Sequence, residues 1–264
     1  MENNSTNQAN PIISIKNLRK NYGEKQVLKG VNLEIYPGQV IGYIGPNGAG
    51  KSTTVKILIG LIEDFEGEVL MYNKSIKDDI VTIKSQIGYV PENAEIYDVL
   101  TPLEYLDFVG KLYGMDEDEI ATRALKLLTA FGIGLNANQR MDTFSKGMKQ
   151  KVLLISGIIH NPKIIILDEP LSGLDANAVI MVKELISLMA KEGKTIFYCS
   201  HMMDVVEKVS DRILLINNGE IVADGTFEQL KAGGDQTLEK IFAKLTGKEE
   251  GNSDASDVIN ALNF

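Results

Sequence analysis

Cysteine, basic charge and long apolar runs are all scarce in this 264-residue chain, and each shortage removes a class of protein. A single cysteine, Cys199, cannot close an internal disulfide, which fits a reducing compartment and excludes a disulfide-stapled scaffold. It lies in the apolar run that starts at Thr195 and reads as core filling. Lysine and arginine total 27 against 36 acidic residues, a formal net charge of −9. The basic balance of a protein that grips a phosphate backbone is therefore missing, and no nucleic acid partner is expected. The longest apolar stretch without a charge, Val152 to Pro162, is 11 residues, short of the roughly 20 that a membrane-spanning helix needs. If the chain serves a membrane, a partner does the spanning. Residues 1–11 are rich in Asn and Ser and lack both a basic and an apolar signal region, which predicts a disordered lead-in and no signal peptide. Neither histidine has metal-ligand company, since Cys199 and His201 alone cannot supply the three or four ligands of a zinc site.

What is present is a chain of alternating strand and helix signals. Ile12 to Leu18, Val31 to Ile35 and Glu68 to Met71 carry β-branched, alternating patterns, and the apolar run Val40 to Ile44 leads into a glycine-rich turn and a helix over Ser52 to Leu61. From Thr101 the pattern changes to helical spacing, with Leu103, Leu106, Val109 and Leu112 in one segment and Ile120, Ala124, Leu127 and Phe131 in the next. Ser145 is placed as the N-cap of a third helix running to about His160, where histidine is read as a cation closing the helix. Ile164 to Asp168 and Thr195 to Ser200, separated by the helical pattern Ala176 to Glu192, form a βαβ unit. Asn217-Asn218-Gly219 between two short apolar runs predicts a hairpin, because Asn-Gly supplies the positive φ values of a tight turn. The expected class is α/β: a P-loop core with a mostly parallel sheet, an N-terminal antiparallel β lobe and an inserted helical lobe over about 93–160. The main unit spans 12–247, and an acidic tail, 248–264, carries a short apolar segment around Val258, Ile259, Leu262 and Phe264 that can dock as a helix.

The chemistry sits in three places. Gly45-Pro46-Asn47-Gly48-Ala49-Gly50-Lys51-Ser52, with Thr53 next on the helix, is a phosphate loop in its required strand-to-helix context. Its glycines let successive amides face phosphate oxygens, Lys51 reaches the β- and γ-phosphates, and the Ser52 hydroxyl takes a position on Mg²⁺. Asp168 ends an aliphatic strand, where a carboxylate can hold the metal, and Glu169 follows as a general base for the water that attacks the γ-phosphate. Phe144-Ser145-Lys146-Gly147-Met148, 23 residues before Leu167-Asp168-Glu169-Pro170, adds a Ser-x-Gly element at a helix start.

Together these motifs resemble the nucleotide-binding subunit of an ABC (ATP-binding cassette) transporter, from about Ile12 to Gly247. The resemblance implies ATP and Mg²⁺ as cofactors and a head-to-tail dimer in which Ser145 and Gly147 close over the ATP of a second ATP-binding subunit. It implies an integral-membrane permease as partner and a peripheral place on the cytoplasmic face of the membrane. It makes His201 a switch residue at the γ-phosphate and the base, Tyr22 an adenine-stacking residue, and Asp175 a residue that crosses between the two sites of the dimer. The residues themselves leave Tyr22 open as a turn-flanking core residue and Asp175 as a helix N-cap. Three of the five signature positions depart from Leu-Ser-Gly-Gly-Gln, and Glu92 stands where the family carries a glutamine near Mg²⁺. Both departures resemble those of bacterial cassettes that pair with a separate permease, often for export. The competing reading is a cytoplasmic ATP switch acting on a soluble partner such as the ribosome. A single cassette and the lack of sustained heptads weigh against it. A small-metabolite phosphotransferase ranks third, since no acceptor pocket is recognisable.

Overall fold

The computed structural model describes residues 10–92, 96–231, 237–246 and 261–262. In chain order the elements are β1 (Ile13–Tyr22), β2 (Lys25–Ile35), β3 (Val40–Ile44), α1 (Lys51–Leu58), β4 (Glu66–Met71), β5 (Lys74–Ser75), α2 (Ile80–Lys84) and β6 (Ile87–Val90). There follow α3 (Pro102–Leu112), α4 (Glu117–Ala130), α5 (Lys146–Ile158), β7 (Ile164–Asp168), α6 (Ala176–Lys191), β8 (Thr195–Cys199), α7 (Met203–Val209), β9 (Arg212–Asn217), β10 (Glu220–Gly225), α8 (Phe227–Lys231) and α9 (Leu238–Leu245). Among the described residues the strands form two sheets, an antiparallel one in the order β2-β1-β4-β5 and a larger one in the order β10-β9-β3-β8-β7-β6. In the larger sheet every neighbouring pair is parallel except β9 with β10.

The inner strands β3, β7 and β8 of the larger sheet are buried on both faces, which explains why they read as continuous apolar runs. Along β7, Ile164 and Ile166 point into a core shared with the antiparallel sheet and α1, while Ile165 and Leu167 point into a second core built with α3 to α7. The antiparallel strands have one wet face, so Lys16, Arg19 and Lys25 interrupt their pattern. β1 and β2 are accordingly longer than the sequence signal suggested. β6 was not anticipated as a strand. It is four residues long and includes Gly88, too brief for a periodic signal.

Local chemistry sets the boundaries of the helices. Thr101 opens α3 with a reciprocal capping box to Glu104 and Pro102 at the first helical position. Ser145 caps α5 by accepting from the Met148 amide at 3.2 Å, as its sequence context predicts. α1 stops at Leu58, before the expected Leu61, because Gly60 turns left-handed at φ 65° and the Gly60 and Leu61 amides fold back onto Ile57 and Lys56. The hairpin forms at the expected residues: Asn218 and Gly219 have φ of 48° and 84°, and the Gly219 amide donates to the Ala49 carbonyl in the phosphate loop.

His160 corrects the sequence reading. The cation at the end of α5 is Arg123 from α4, which donates to the Ile159 carbonyl at 2.7 Å. His160 itself is held neutral, its pKa pushed down to about 4 mainly by burial. It stacks on Tyr113 with ring centroids 3.5 Å apart and hydrogen-bonds the Ile87 carbonyl on β6 at 3.1 Å. Cys199 is fully buried, as expected. The expectations for residues 1–9, 247–260 and 263–264, Val258, Ile259 and Phe264 among them, lie outside the described residues; Ala261 and Leu262 are helical and exposed.

Gly88 fixes how closely α5 can approach β6. A Cβ there would lie 1.9 Å from the Gly157 carbonyl oxygen, a backbone atom that cannot swing aside. Gly88→Ala is expected to lose about 2–3 kcal/mol of stability, the scale of forced overpacking. A urea titration of the two proteins would measure it, and an unchanged midpoint would show that the helix can withdraw freely.

Candidate active site

Four parallel strands deliver their polar residues to one end of the larger sheet. β3 exits into the phosphate loop, β6 into Pro91 and Glu92, β7 ends at Asp168 with Glu169 next, and β8 leads to Ser200 and His201. A cavity of about 550 Å³ opens there, lined by Lys25, Val27, Asn47, Gly48, Gly50, Lys51, Ser52, Thr53, Glu92, Asp168, Glu169 and His201. Sequence reasoning therefore placed most of the lining, from Asn47 to His201. It missed Lys25 and Val27 at the start of β2, since a lysine and a valine in a strand carry no motif.

The phosphate loop is shaped by its own bonds. Gly50 takes the N-cap of α1 at φ 114°. The Thr54 amide returns to the Gly50 carbonyl at 2.9 Å, and the Thr54 hydroxyl is buried against both that carbonyl and the Tyr43 hydroxyl. The amides of Lys51, Ser52 and Thr53 come before this first helical bond, so they and the positive end of the helix face the cavity mouth. The Lys51 ammonium reaches back over the loop to the Gly45 carbonyl at 2.7 Å and the Pro46 carbonyl at 3.3 Å. Gly45, Pro46 and Ala49 are not among the lining residues.

Glu169 is aimed by several donors. Its backbone sits in the left-handed region at φ 47°, unusual for a residue with a side chain, and its amide bonds the Cys199 carbonyl. One carboxylate oxygen accepts from the Ser200 hydroxyl at 2.9 Å; the other accepts from the His201 amide at 2.8 Å and lies 2.8 Å from His201 Nδ1. The carboxylate is buried while the His201 ring is 75% exposed, so the histidine closes the site from the solvent side. Ser200 went unremarked in the sequence, although its place between a strand end and His201 was the available signal.

Asp168 is the electrostatically strained member. Its pKa is pushed up to about 6, first by burial and then by the negative charges of Glu92 and Glu169, with only partial relief from Lys51. Such a carboxylate lacks a counter-charge. Among the described residues no group of three or more His, Cys, Asp or Glu can hold a metal alone. One hydroxyl, from Ser52, with the carboxylates of Asp168 and Glu92, suits instead a hard ion that keeps water and phosphate among its ligands, which is the habit of Mg²⁺.

The remaining predicted residues lie elsewhere. Ser145, Gly147 and Asp175 are not among the cavity-lining residues. The signature segment leans on the loop that follows Glu169: a Cβ on Gly147 would come 2.7 Å from the Gly173 carbonyl, the Lys146 ammonium bonds the Ser172 hydroxyl at 3.1 Å, and buried Gln150 bonds the Pro170 carbonyl at 3.0 Å. Asp175 caps α6 through the Ala178 amide at 2.9 Å and keeps its carboxylate largely exposed, with Lys151 at 3.8 Å. Tyr22 is 49% exposed at the end of β1, across the register from cavity-lining Lys25, so it is no core residue.

A glycine-rich loop between β3 and α1, an acidic strand end beside it and parallel strands on both sides define a P-loop nucleoside triphosphatase. A sequence profile described as ABC transporter matches residues 28–172, more than half of the chain. The chain is 35% identical over 230 residues to the linearmycin resistance ATP-binding protein LnrL of Bacillus subtilis, covering 86% of this chain and 74% of that protein. A solved ATP-binding subunit of an ABC transporter superposes with a TM-score of 0.83 at 31% identity, over 89% of this chain and 99% of that one. The dimeric cassette MJ0796, in a post-hydrolysis state with ADP and Pi, gives a TM-score of 0.74 at 29% identity, over 81% of this chain and 98% of that one. The chain belongs to the ABC transporter family as one of its ATP-binding, ATP-hydrolysing subunits, a kind of subunit that dimerises.

The strain on Asp168 has a thermodynamic sign. Its carboxyl holds a proton in the folded state at pH values where the unfolded chain has released it, so stability falls as pH rises from the ordinary carboxylate value through about 6. Asp168→Asn removes that penalty. In metal-free buffer its thermal midpoint is expected about 2–4 °C above wild type at pH 8, the shift of roughly 1 kcal/mol in a chain this size. The gap should close as pH falls through 6 and be gone near 4. A gap that persists at low pH would assign the effect to packing.

Proposed function

We propose that this chain powers a membrane permease, an exporter, by closing and reopening a dimer around ATP and Mg²⁺. The observation that carries the reading is the convergence of Lys51, Ser52, Glu92, Asp168, Glu169 and His201 on one cavity. In this reading Gly45 to Thr53 cradle the phosphates, and Ser52, Asp168 and Glu92 would hold Mg²⁺, which supplies charge neutralisation on the phosphates. Glu169 orients and deprotonates the attacking water. The Ser200 hydroxyl and the His201 amide keep its carboxylate aimed, and His201 covers it from the solvent side. Tyr22 offers a flat face for adenine from the end of β1. Ser145 and Gly147 meet the phosphates of ATP held by the second subunit, with Asp175 beside the shared interface. Residues 12–247 form the ATPase unit, with the helical lobe over about 93–160.

The permease reading has its own support. No helix among the described residues is long and apolar enough to cross a membrane. Yet the helical lobe leaves Tyr97, Val99, Phe108 and Leu112 exposed close after Glu92, with Tyr97 and Phe108 edge-to-face at 6.0 Å. The exposed Tyr97–Phe108 pair suits an apolar helix of a partner. The altered signature, Glu92 and the likeness to a protein named for linearmycin resistance favour export. In this reading the subunit sits on the cytoplasmic face of the membrane, held there by its permease.

Glu169→Gln is expected to lower Mg²⁺-dependent turnover about 10²- to 10⁴-fold while ATP binding persists. Undiminished turnover would remove Glu169 from the role of base. For the partner, tagged chain drawn from gently solubilised native membranes should bring down a polytopic membrane protein in stoichiometric amount. Phe108→Glu with Leu112→Glu should lose that partner and keep ATP binding. Ribosomal or other soluble partners, with no membrane protein, would favour the cytoplasmic switch.

A further inference from the structure

The cavity has an unbalanced charge, and one residue causes it. Its lining supplies two lysines, Lys25 and Lys51, against three carboxylates, Glu92, Asp168 and Glu169. Glu169 is satisfied by the Ser200 hydroxyl and the His201 amide, and Lys51 is engaged with the carbonyls of its own loop. No lysine or arginine among the described residues forms an ion pair with Glu92 or Asp168. Glu92 stands exposed at the mouth, one residue beyond the Pro91 that follows β6. A glutamine of the same shape there would leave two positive and two negative groups. The glutamate adds one negative charge to the exposed lining of the cavity.

We propose that Glu92 makes this subunit discriminate at the binding step between free ATP and ATP accompanied by a divalent cation. The inference rests on reading the cavity as the ATP site and adds to it a selection among the ionic forms of the nucleotide. The loop amides, Lys51 and the positive end of α1 attract the phosphates of free ATP, while the Glu92 carboxylate opposes them and weakens the binding of the free anion. Nucleotide that enters with Mg²⁺ has part of its charge cancelled, and the carboxylate then faces a cation. A neutral carboxamide can accept a hydrogen bond or bind a cation weakly, but it cannot repel the free anion. Because Glu92 is exposed, salt should weaken the repulsion over the screening length of about 10 Å at 0.1 M.

The test is calorimetric binding of adenylyl imidodiphosphate, a non-hydrolysable ATP analogue, to wild type, Glu92→Gln and Glu92→Asp, with EDTA or with excess Mg²⁺, at low and high ionic strength. Glu92→Gln should bind the free analogue about tenfold more tightly, the scale of one unit charge across a solvated cleft, so that the preference for the Mg²⁺ form falls by at least that factor. Glu92→Asp should keep the wild-type ratio of the two affinities. High salt should shrink that ratio in wild type more than in Glu92→Gln. An unchanged ratio in Glu92→Gln, or equal shifts of both affinities, would overturn the role given to Glu92 and leave the ATP site standing. Wild type that binds neither form would overturn the ATP site itself, and the inference with it.

Discussion

The site depends on the level ends of a parallel ladder. Tyr43 of β3 is in register with Cys199 of β8, Cys199 with Asp168 of β7, and Leu167 with Val90 of β6. Because the strands run the same way and end together, each chain exit arrives at the same edge of the sheet: the phosphate loop, Glu92, Asp168-Glu169 and Ser200-His201. Ligand crevices at the carboxyl ends of parallel strands follow from this geometry, since only there can several connections meet without crossing the sheet. A slip of one residue in β7 would exchange Ile164 and Ile166 with Ile165 and Leu167 between the two cores, so burial on both faces holds the register. The fold positions its chemistry through hydrophobic packing some distance from the polar atoms.

That arrangement concentrates charge where water is sparse. Asp168 ends a fully buried strand and sits beside a second carboxylate in sequence and a third across the cavity, and its raised pKa records the cost. Glu169 collects donors from the two residues that follow β8, and its left-handed backbone is what turns the side chain toward them. Two adjacent carboxylates therefore differ in character: one is satisfied by hydrogen bonds and suited to direct a water, the other is short of positive charge and suited to a cation. Stability given up at such a site is typical of groups kept for function.

Much of this was legible in the sequence because the relevant signals are local. A phosphate loop, an aliphatic strand ending in Asp-Glu, a Ser N-cap and an Asn-Gly turn each combine backbone need with residue type over a few positions, and Ser145, Asp175 and Asn218-Gly219 took up the predicted geometry. The features that escaped depend on partners distant in the chain. Lys25 becomes a cavity residue only because β2 passes the loop, and Ser200 matters only because Glu169 lies beside it. His160 looked like a helix-closing cation because its neighbours in sequence end a helix. Its state is decided instead by Tyr113, Ile87 and burial, while Arg123 from another helix provides the charge. β6 was too short to show a period, yet it carries Glu92 to the cavity.

The contacts between the signature segment and the loop after Glu169 bear on how hydrolysis is transmitted. Gly147 lies against the Gly173 carbonyl, Lys146 reaches Ser172, and Gln150 holds Pro170 from a buried position. Within one chain, the helix that begins at Ser145 is thus tied to the segment that starts at the general base of the proposed mechanism. On its other side α5 meets β6 at Gly88 and Gly157, and β6 leads to Glu92. α5 therefore contacts both the segment after Glu169 and the strand that leads to Glu92. Packed interfaces of this tightness shift as units and do not deform gradually, which is the physical requirement for two discrete arrangements of lobe and core. Lys146, a departure from the family signature, adds a bond to Ser172 that a glycine at that position could not make. It strengthens the tie between signature and base loop in the very segment that the dimer partner is expected to approach.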